Sequence, residues 1–463
     1  METIISVISP IDNSVYVERH HSSINETGTA LEAARVAQRS WKKTSLAERK
    51  KICAKAIDSF VAKKDSIAEE ICWQMGRPIR SAAGEIAGVE ERARTMINLA
   101  EQGLATIKIA DKPGFERWIQ REAVGVVFVI APWNYPYLTA INAVLPAILA
   151  GNTVILKPSA QTPLCAERLY EAFNAGGLPE GVFQFLHLSH EGTDAVIKDK
   201  RVNHVAFTGS VRGGSAVEKA ATGRFIGMGL ELGGKDPAYI RADANLTHAV
   251  DTAMDGAFFN SGQSCCGIER IYAHESIYDE FVKQSIAWVK QLKLGRSDDP
   301  DTTLGPLVRA SAADFVREQI LEAIDQGAVK HISGEAYPLD QVGSPYLAPQ
   351  VLTKVDHSMR VMTEESFGPV VGIQKVSSDA EAIKLMNDSE FGLTAAIFTD
   401  DIDKGVELGQ QLETGTFFIN RCDYLDPELA WTGVKNSGQG CSLSVIGYEH
   451  LTRPKSFHIK TEV

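Results

Sequence analysis

The stretch Val124-Gly125-Val126-Val127-Phe128-Val129-Ile130-Ala131-Pro132-Trp133-Asn134-Tyr135-Pro136 decides how this chain folds. Its first half is apolar on both faces, which predicts a strand buried on both sides, as in a parallel sheet covered by helices. Its second half is a turn that carries one polar amide, Asn134, off the end of that strand. A helix over 136–149 follows, closed by Gly151. The alternation then continues with strands 153–157, 182–186, 204–207 and 226–231 and a helix over 163–174, closed by Gly176 and Gly177. A second series starts at Asp236, with strand 236–240, helix 246–259, strand 269–273 and helix 277–291. Gly295 to Gly305 reads as a linker. Strands near 370–375, 394–398 and 415–419, with helices 379–387 and 402–411, complete it. Two α/β units in series, each built on a doubly wound parallel sheet, follow from this pattern.

Outward from this core, the first hundred residues read as helical. Ser45-Leu46-Ala47-Glu48 has the capping-box pattern, and Ile52, Ala56, Ile57 and Phe60 share one helix face. Arg77-Pro78 and Gly84 punctuate the helices that follow. Phe115 to Ala123 and Thr452 to Lys460 mix polar and apolar residues and read as exposed strands.

The 463 residues exceed what one core holds. Lys plus Arg number 47 against 59 Asp plus Glu, a formal charge of −12 that repels nucleic acid and anionic lipid. Neither a signal-peptide layout nor a bilayer-spanning apolar run occurs, so no membrane partner is expected and the chain reads as cytoplasmic. Seven scattered cysteines fit reduced thiols. No HExxH or CxxC set accompanies the histidines, so no metal site is expected.

The chemistry-bearing segments are Leu230-Glu231-Leu232-Gly233-Gly234 and Gly262-Gln263-Ser264-Cys265-Cys266. They place a candidate base, Glu231, and a candidate nucleophile, Cys265, in separate glycine-marked turns. A thiol acts when partly ionised and reachable, and a carboxylate acts as a base when its surroundings raise its pKa toward neutrality. Taken alone, the two cysteines fit small core residues, Glu231 fits a capping or ion-pairing carboxylate, and Asn134 fits a turn. Their joint occurrence favours a catalytic set.

In chain order, the Trp133-Asn134 turn, Ile155-Leu156-Lys157-Pro158-Ser159, Phe207-Thr208-Gly209-Ser210, the Glu231 and Cys265 segments, and Glu364-Glu365-Ser366-Phe367-Gly368-Pro369 resemble the aldehyde dehydrogenase superfamily. The resemblance runs from roughly residue 5 to the C-terminus. It implies an NAD(P)-dependent enzyme that oxidises an aldehyde to an acid. Cys265 would form a thiohemiacetal and then a thioester, Asn134 and the Cys265 N–H would hold the oxyanion, and Glu231 would activate the hydrolytic water. It also implies a nucleotide-binding domain over 1–110 and 128–233, a catalytic domain over 234–440, and segments 111–127 and 441–463 that form a small β extension for assembly into a homodimer or homotetramer.

For the cofactor, the resemblance implies Gly209 and Ser210 near the pyrophosphate, Lys157 at the adenosine ribose, Glu365 at the nicotinamide ribose, and Trp133 and Phe367 packed nearby. Many NAD-preferring relatives carry glutamate after the position of Ser159. Here it is Ala160, so with Lys157, Ser159 and Arg212 the chain is expected to accept NADP as well as NAD. Relatives acting on succinate semialdehyde often carry an arginine where this chain has Asn142. Its absence leaves a semialdehyde as the alternative to a medium-chain or aromatic aldehyde. Tyr135, Phe259, Leu425 and Trp431 are expected to wall the pocket, with Ser264 and Cys266 beside the nucleophile and Arg421 or Asp423 as a polar contact. A CoA-acylating relative is disfavoured by Glu231, and a silent homologue by the intact set.

Overall fold

The computed structural model describes residues 4–462. The strand Val126–Ile130 lies at the middle of a six-stranded sheet. Thr153–Lys157 and Phe183–Phe185 extend it on one side, and Val202–Thr208 and Gly227–Glu231 on the other, all parallel. Gly438–Gln439 closes the Glu231 edge antiparallel. The pleat divides the decisive apolar run between two cores. Val127 and Val129 pack with the helices Leu46–Val61, Lys64–Met75, Ile79–Gly103 and Pro136–Leu149, while Val126, Phe128 and Ile130 pack with Leu31, Val196, Val205 and Val217.

A second sheet of seven strands has the order Val329–Lys330, Gln350–Thr353, Val370–Val376, Ile268–His274, Asp236–Ile240, Thr394–Phe398, Thr416–Ile419. It is parallel except at the Val329–Lys330 edge. Glu231 ends a strand of the first sheet and Asp236 begins one of the second. The C-terminal edge of one sheet therefore meets the N-terminal edge of the other along a seam. The molecule is thus an α/β fold of two doubly wound sheets. In a third, antiparallel sheet Phe115–Ala123 is the middle strand, flanked by Thr452–Lys460 on one side and Ile107–Lys108 on the other, and Trp118 stacks on Phe457 with ring centroids 4.6 Å apart.

Four expectations need correction. The N-terminal region is not wholly helical, because Ile4–Ile8 and Val15–His20 form a hairpin in which Ile5 and Val7 alternate inward. Gly84 punctuates nothing and lies inside the 25-residue helix Ile79–Gly103. Ser45 does accept a hydrogen bond from Glu48 N, but the reciprocal capping box forms at Ser23 and Glu26. Beyond the Gly295–Gly305 loop lie the unassigned helix Ala310–Asp325 and strand Gln350–Thr353.

One buried ion pair fastens the helical layer to the seam. Arg77 and Glu85 are 1% and 2% exposed and paired through Nη1 and Oε2. Glu85 Oε1 accepts from the N–H groups of Tyr137 (2.8 Å) and Leu138 (3.2 Å), at the start of Pro136–Leu149. A carboxylate there satisfies orphan donors and faces the positive end of the helix dipole. Replacing Glu85 with alanine strands the guanidinium and is expected to cost about 3–5 kcal/mol. Chemical denaturation measures this, and a loss below about 1 kcal/mol would show that the pair behaves as a solvated one.

Candidate active site

The helix Leu246–Phe258 runs into three successive left-handed residues, Asn260 (φ 52°), Ser261 (φ 58°) and Gly262 (φ 72°). Non-glycine residues in that region cost about 1–3 kcal/mol each and persist only where their surroundings hold them. Here Arg77 Nε donates to Asn260 Oδ1 (3.1 Å), Asn260 Nδ2 donates to Gln263 O (3.2 Å), and Ser261 Oγ donates to Gly305 O (2.8 Å). At Gly262 a Cβ would stand 2.2 Å from Gly368 O, so only glycine fits. The sharp reversal delivers Gln263 to Cys266 into the seam. Arg77 Nη2 also donates to Asn134 O, and Asn134 Nδ2 donates to Gln263 O (3.2 Å), which locks the strand-end turn to the cysteine loop.

A cavity of about 700 Å³ opens beside this loop. Cys265 and Glu231 line it, as do Tyr135, Asn142, Phe259, Ser264, Cys266, Leu425 and Trp431, so every residue expected in the pocket is brought to one space. Asn134 is buried next to the loop and does not line that wall. Asp423 lines it too and accepts from Ser264 Oγ (2.8 Å) and Cys266 Sγ (3.1 Å); burial pushes its carboxyl up to about 6. Arg421 instead lies over the Tyr424 ring. The hydrogen bond with Cys265, together with burial, holds the Cys266 thiol well above its ordinary value. Cys266 therefore stays protonated, while Cys265 is half-buried at the cavity wall.

Glu231 Oε1 accepts from Ser442 Oγ (2.6 Å) and Oε2 from Thr208 Oγ1 (3.2 Å). Burial raises its pKa, and these two hydrogen bonds and Arg92 oppose the rise. A carboxylate in this state is suited to accept a proton near neutral pH.

The residues expected at a dinucleotide fall along the seam. Lys157 ends its strand, and burial lowers its pKa to about 8. Ser159 Oγ accepts from Gln161 N (3.2 Å), and Ala160 and Arg212 are exposed. Gly209 N donates to Glu231 O (3.0 Å), and Ser210 caps the helix Val211–Ala221. Trp133 and Phe367 meet edge to face, centroids 5.6 Å apart. Glu365 accepts from Gly234 N (3.0 Å); burial and neighbouring Glu269 push it up to about 7. At Gly233 a Cβ would fall 2.5 Å from Glu365 Oε1, so the backbone there forms a close cradle.

Sequence reasoning missed Arg77, Glu85, Arg92, Thr208, Ser442 and the buried Lys235–Glu269 pair (2.6 Å), whose carboxylate accepts from Ser366 N and Phe367 N (both 2.8 Å). A signal existed for two of them. Glu85 and Arg92 sit on the buried stripe Ala82, Ile86, Val89, Ala93, Met96 of one helix, where charges are out of place. Among the described residues no cluster of histidine, cysteine or acid groups could hold a metal, and no helix is long and apolar enough to cross a membrane.

Two sheets meeting at a seam, with a thiol and a carboxylate on one cavity, define an α/β enzyme. The sequence matches the model of the Aldehyde dehydrogenase family over residues 1–457. It is similar to an aldehyde dehydrogenase of Paenarthrobacter nicotinovorans, 33% identical over 93% of this chain and 94% of that one. It is 35% identical, over 90% of each, to the succinate semialdehyde dehydrogenase [NAD(P)+] Sad of Escherichia coli K12. The structure of betaine aldehyde dehydrogenase from Staphylococcus aureus in complex with NAD+ superposes with a TM-score of 0.93 at 30% identity, covering 100% of this chain and 92% of that one. This chain belongs to the aldehyde dehydrogenase family.

Substituting Ser442 with alanine removes the shorter hydrogen bond to Glu231 and is expected to raise the Glu231 pKa further. Infrared titration of the carboxyl band, referenced to Glu231→Gln, follows this. A downward shift would show that the serine does not stabilise the charged form.

Proposed function

We propose that this protein oxidises an aldehyde to its carboxylic acid through a covalent intermediate on Cys265, with a nicotinamide dinucleotide as the oxidant. The observation that carries the reading is the convergence of Cys265 and Glu231 on one cavity whose seam also bears Glu365, Trp133 and Phe367. The Cys265 thiolate attacks the carbonyl carbon and yields a thiohemiacetal. Two donors support the resulting oxyanion: the Cys265 N–H and the second Nδ2 proton of Asn134, neither of which has an acceptor among the described residues.

The nicotinamide, when bound, supplies the acceptor for the hydride that leaves the former carbonyl carbon. The thioester remaining on Cys265 is cleaved by water, and Glu231 takes the proton from that water. The acid leaves and the thiol is regenerated.

Lys157, Ser159, Gly209 and Ser210 would hold the adenosine and pyrophosphate portions, and Glu365 the nicotinamide ribose. Lys157 fits this role, because it is largely buried with no partner among the described residues. Ala160 offers no carboxylate to repel a 2′-phosphate, so NADP is accepted beside NAD, and Lys157 and Arg212 favour it. The similar succinate semialdehyde dehydrogenase [NAD(P)+] of Escherichia coli and the similar Staphylococcus aureus structure in complex with NAD+ support dinucleotide use. On this reading residues 1–110 and 128–233 bind the dinucleotide, 234–440 form the catalytic domain, and 111–127 with 441–463 mediate assembly of a dimer or tetramer. Seven unpaired cysteines support a reducing, cytoplasmic setting. Tyr135, Leu138, Phe259, Leu425 and Trp431 suit a medium-chain or aromatic aldehyde.

Cys265→Ala is expected to abolish reduced-cofactor formation with little change in thermal stability; retained turnover would remove the nucleophile from this scheme. Glu231→Gln is expected to keep a first-turnover burst and slow steady-state release by about 10²–10⁴-fold. Rapid-mixing absorbance separates the phases, and loss of the burst itself would place the carboxylate before hydride departure. Turnover with NADP is expected to match or exceed that with NAD at equal concentration, and a large NAD preference in the same assay would contradict the role given to Ala160.

A further inference from the structure

The cavity wall holds a cation that the scheme above does not use. Arg92 stands on the buried stripe of Ile79–Gly103, is 8% exposed, and lines the cavity with Cys265, Cys266 and Glu231. Its hydrogen bonds both leave from Nη1, to Leu138 O (3.1 Å) and Asn142 Oδ1 (3.2 Å). Among the described residues its Nε and Nη2 donate to nothing, and no carboxylate pairs with it. By contrast Arg77 is paired with Glu85, Lys235 with Glu269, and Arg270 donates to the carbonyls of Lys235, Leu385, Met386 and Asp388.

Asn142 adds a second uncommitted donor in the same wall. It is 2% exposed, its Oδ1 is taken by Arg92, and its Nδ2 has no partner. Burying a guanidinium without a counter-charge is unfavourable, so an anion brought to it is held firmly. Burial accordingly holds Arg92 below its ordinary value. With Nη1 occupied, the edge left open is the Nε and Nη2 pair, a planar fork that matches both oxygens of one carboxylate.

We propose that Arg92 and Asn142 anchor a carboxylate on the substrate, so that the molecule oxidised is an aldehyde acid with an apolar or aromatic body. The proposal rests on the cavity being the aldehyde's site. The acids around the same space do not occupy this seat. Glu91 and Asp251 are exposed, where salt screens them, and Glu91 accepts from Tyr424 Oη (2.8 Å), while Asp255, whose carboxyl pKa burial raises, makes no ion pair with Arg92 among the described residues. Asp423 is engaged by Ser264 and Cys266, and Glu231 by Ser442 and Thr208. The competing role for Arg92 is to balance the charges of Glu231 and of an ionised Cys265, both of which feel its field.

The two roles separate in a paired-substrate assay. Straight-chain aldehydes of three to six carbons and benzaldehydes are each offered with a carboxylate and with the neutral amide in its place. At least one pair is expected to favour the carboxylate about tenfold or more in kcat/KM, through KM, as charge-assisted hydrogen bonds require. On that pair Arg92→Met should cost the acid about 50-fold more than its neutral partner, with Arg92→Lys intermediate and Asn142→Ala losing about tenfold. If no pair favours the carboxylate, or if Arg92→Met depresses both members equally, the anchor is refuted. Turnover of the neutral aldehydes by the wild-type protein reports the oxidation reading separately. Should the arginine variants fail to fold, calorimetric titration of the wild-type protein with succinate and with succinamide decides, because equal affinity overturns the anchor and at least tenfold tighter succinate supports it.

Discussion

The buried Arg77–Glu85 pair is the constraint on which the geometry of this molecule depends. Its two side chains touch the start of Pro136–Leu149, the carbonyl of Asn134, the side chain of Asn260 and, through the guanidinium face, the Tyr135 ring 4.4 Å away. These belong to the helical layer, the first sheet and the second sheet. A backbone turn with consecutive left-handed residues at Asn260 and Ser261 would relax without such a clamp. A buried pair of this kind adds little net stability compared with a well-packed apolar substitute, yet breaking it strands a charge. It therefore acts as a register pin, holding the cysteine loop and the asparagine turn in one relative position.

The seam also controls protonation. Glu231, Asp423 and Glu365 all stand above their ordinary values because burial outweighs the hydrogen bonds they accept. An acid whose folded-state pKa is raised favours the fold while it is protonated and loses that contribution as pH rises. For Asp423 the loss falls between the usual 3.8 and about 6, and for Glu365 between 4.5 and about 7. At neutral pH the site thus holds acids partly or wholly ionised against their desolvation cost, a strain supported by the two packed cores on either side.

Much of this was legible in the sequence because the periodicities were strong. The run Val126 to Ile130 is apolar throughout, the helix Pro136–Leu149 is largely apolar and stops before Gly151, and the strands Thr153–Lys157 and Asp236–Ile240 hold short apolar cores. Phe115–Ala123 and Thr452–Lys460 were readable from mixed polarity on an exposed ribbon. The N-terminal hairpin was not, since Ile4 to Ile8 is short and its alternation involves only Ile5 and Val7. Helix Ala310–Asp325 escaped because small residues such as Ala313 and Ala323 share its buried stripe with Val316 and Ile320. In the site, residues inside glycine-marked turns could be read from local motifs. Ser442 could not, because its partnership with Glu231 spans 211 residues and arises only when Gly438–Gln439 pairs with the Glu231 strand.

The division between frame and wall explains how one architecture can admit different aldehydes. The clamp residues Arg77, Glu85 and Glu269 bond to backbone atoms of the turns, and Lys235 holds Glu269 in place, so their demands concern where the chain runs and not what enters the cavity. The cavity's shape is set on the other side, by helix Ile79–Gly103. Gly84 has open space on its Cβ side and leaves room in the cavity wall. Gly88 is pressed by Leu138, where a Cβ would meet Cδ2 at 2.9 Å. One turn further along, Arg92 brings the charge. A single helix, anchored by Glu85 at one turn, thereby presents a wide mouth and a cationic seat on successive turns. Its substitutions can retune the pocket without disturbing the cysteine loop, provided Glu85 stays.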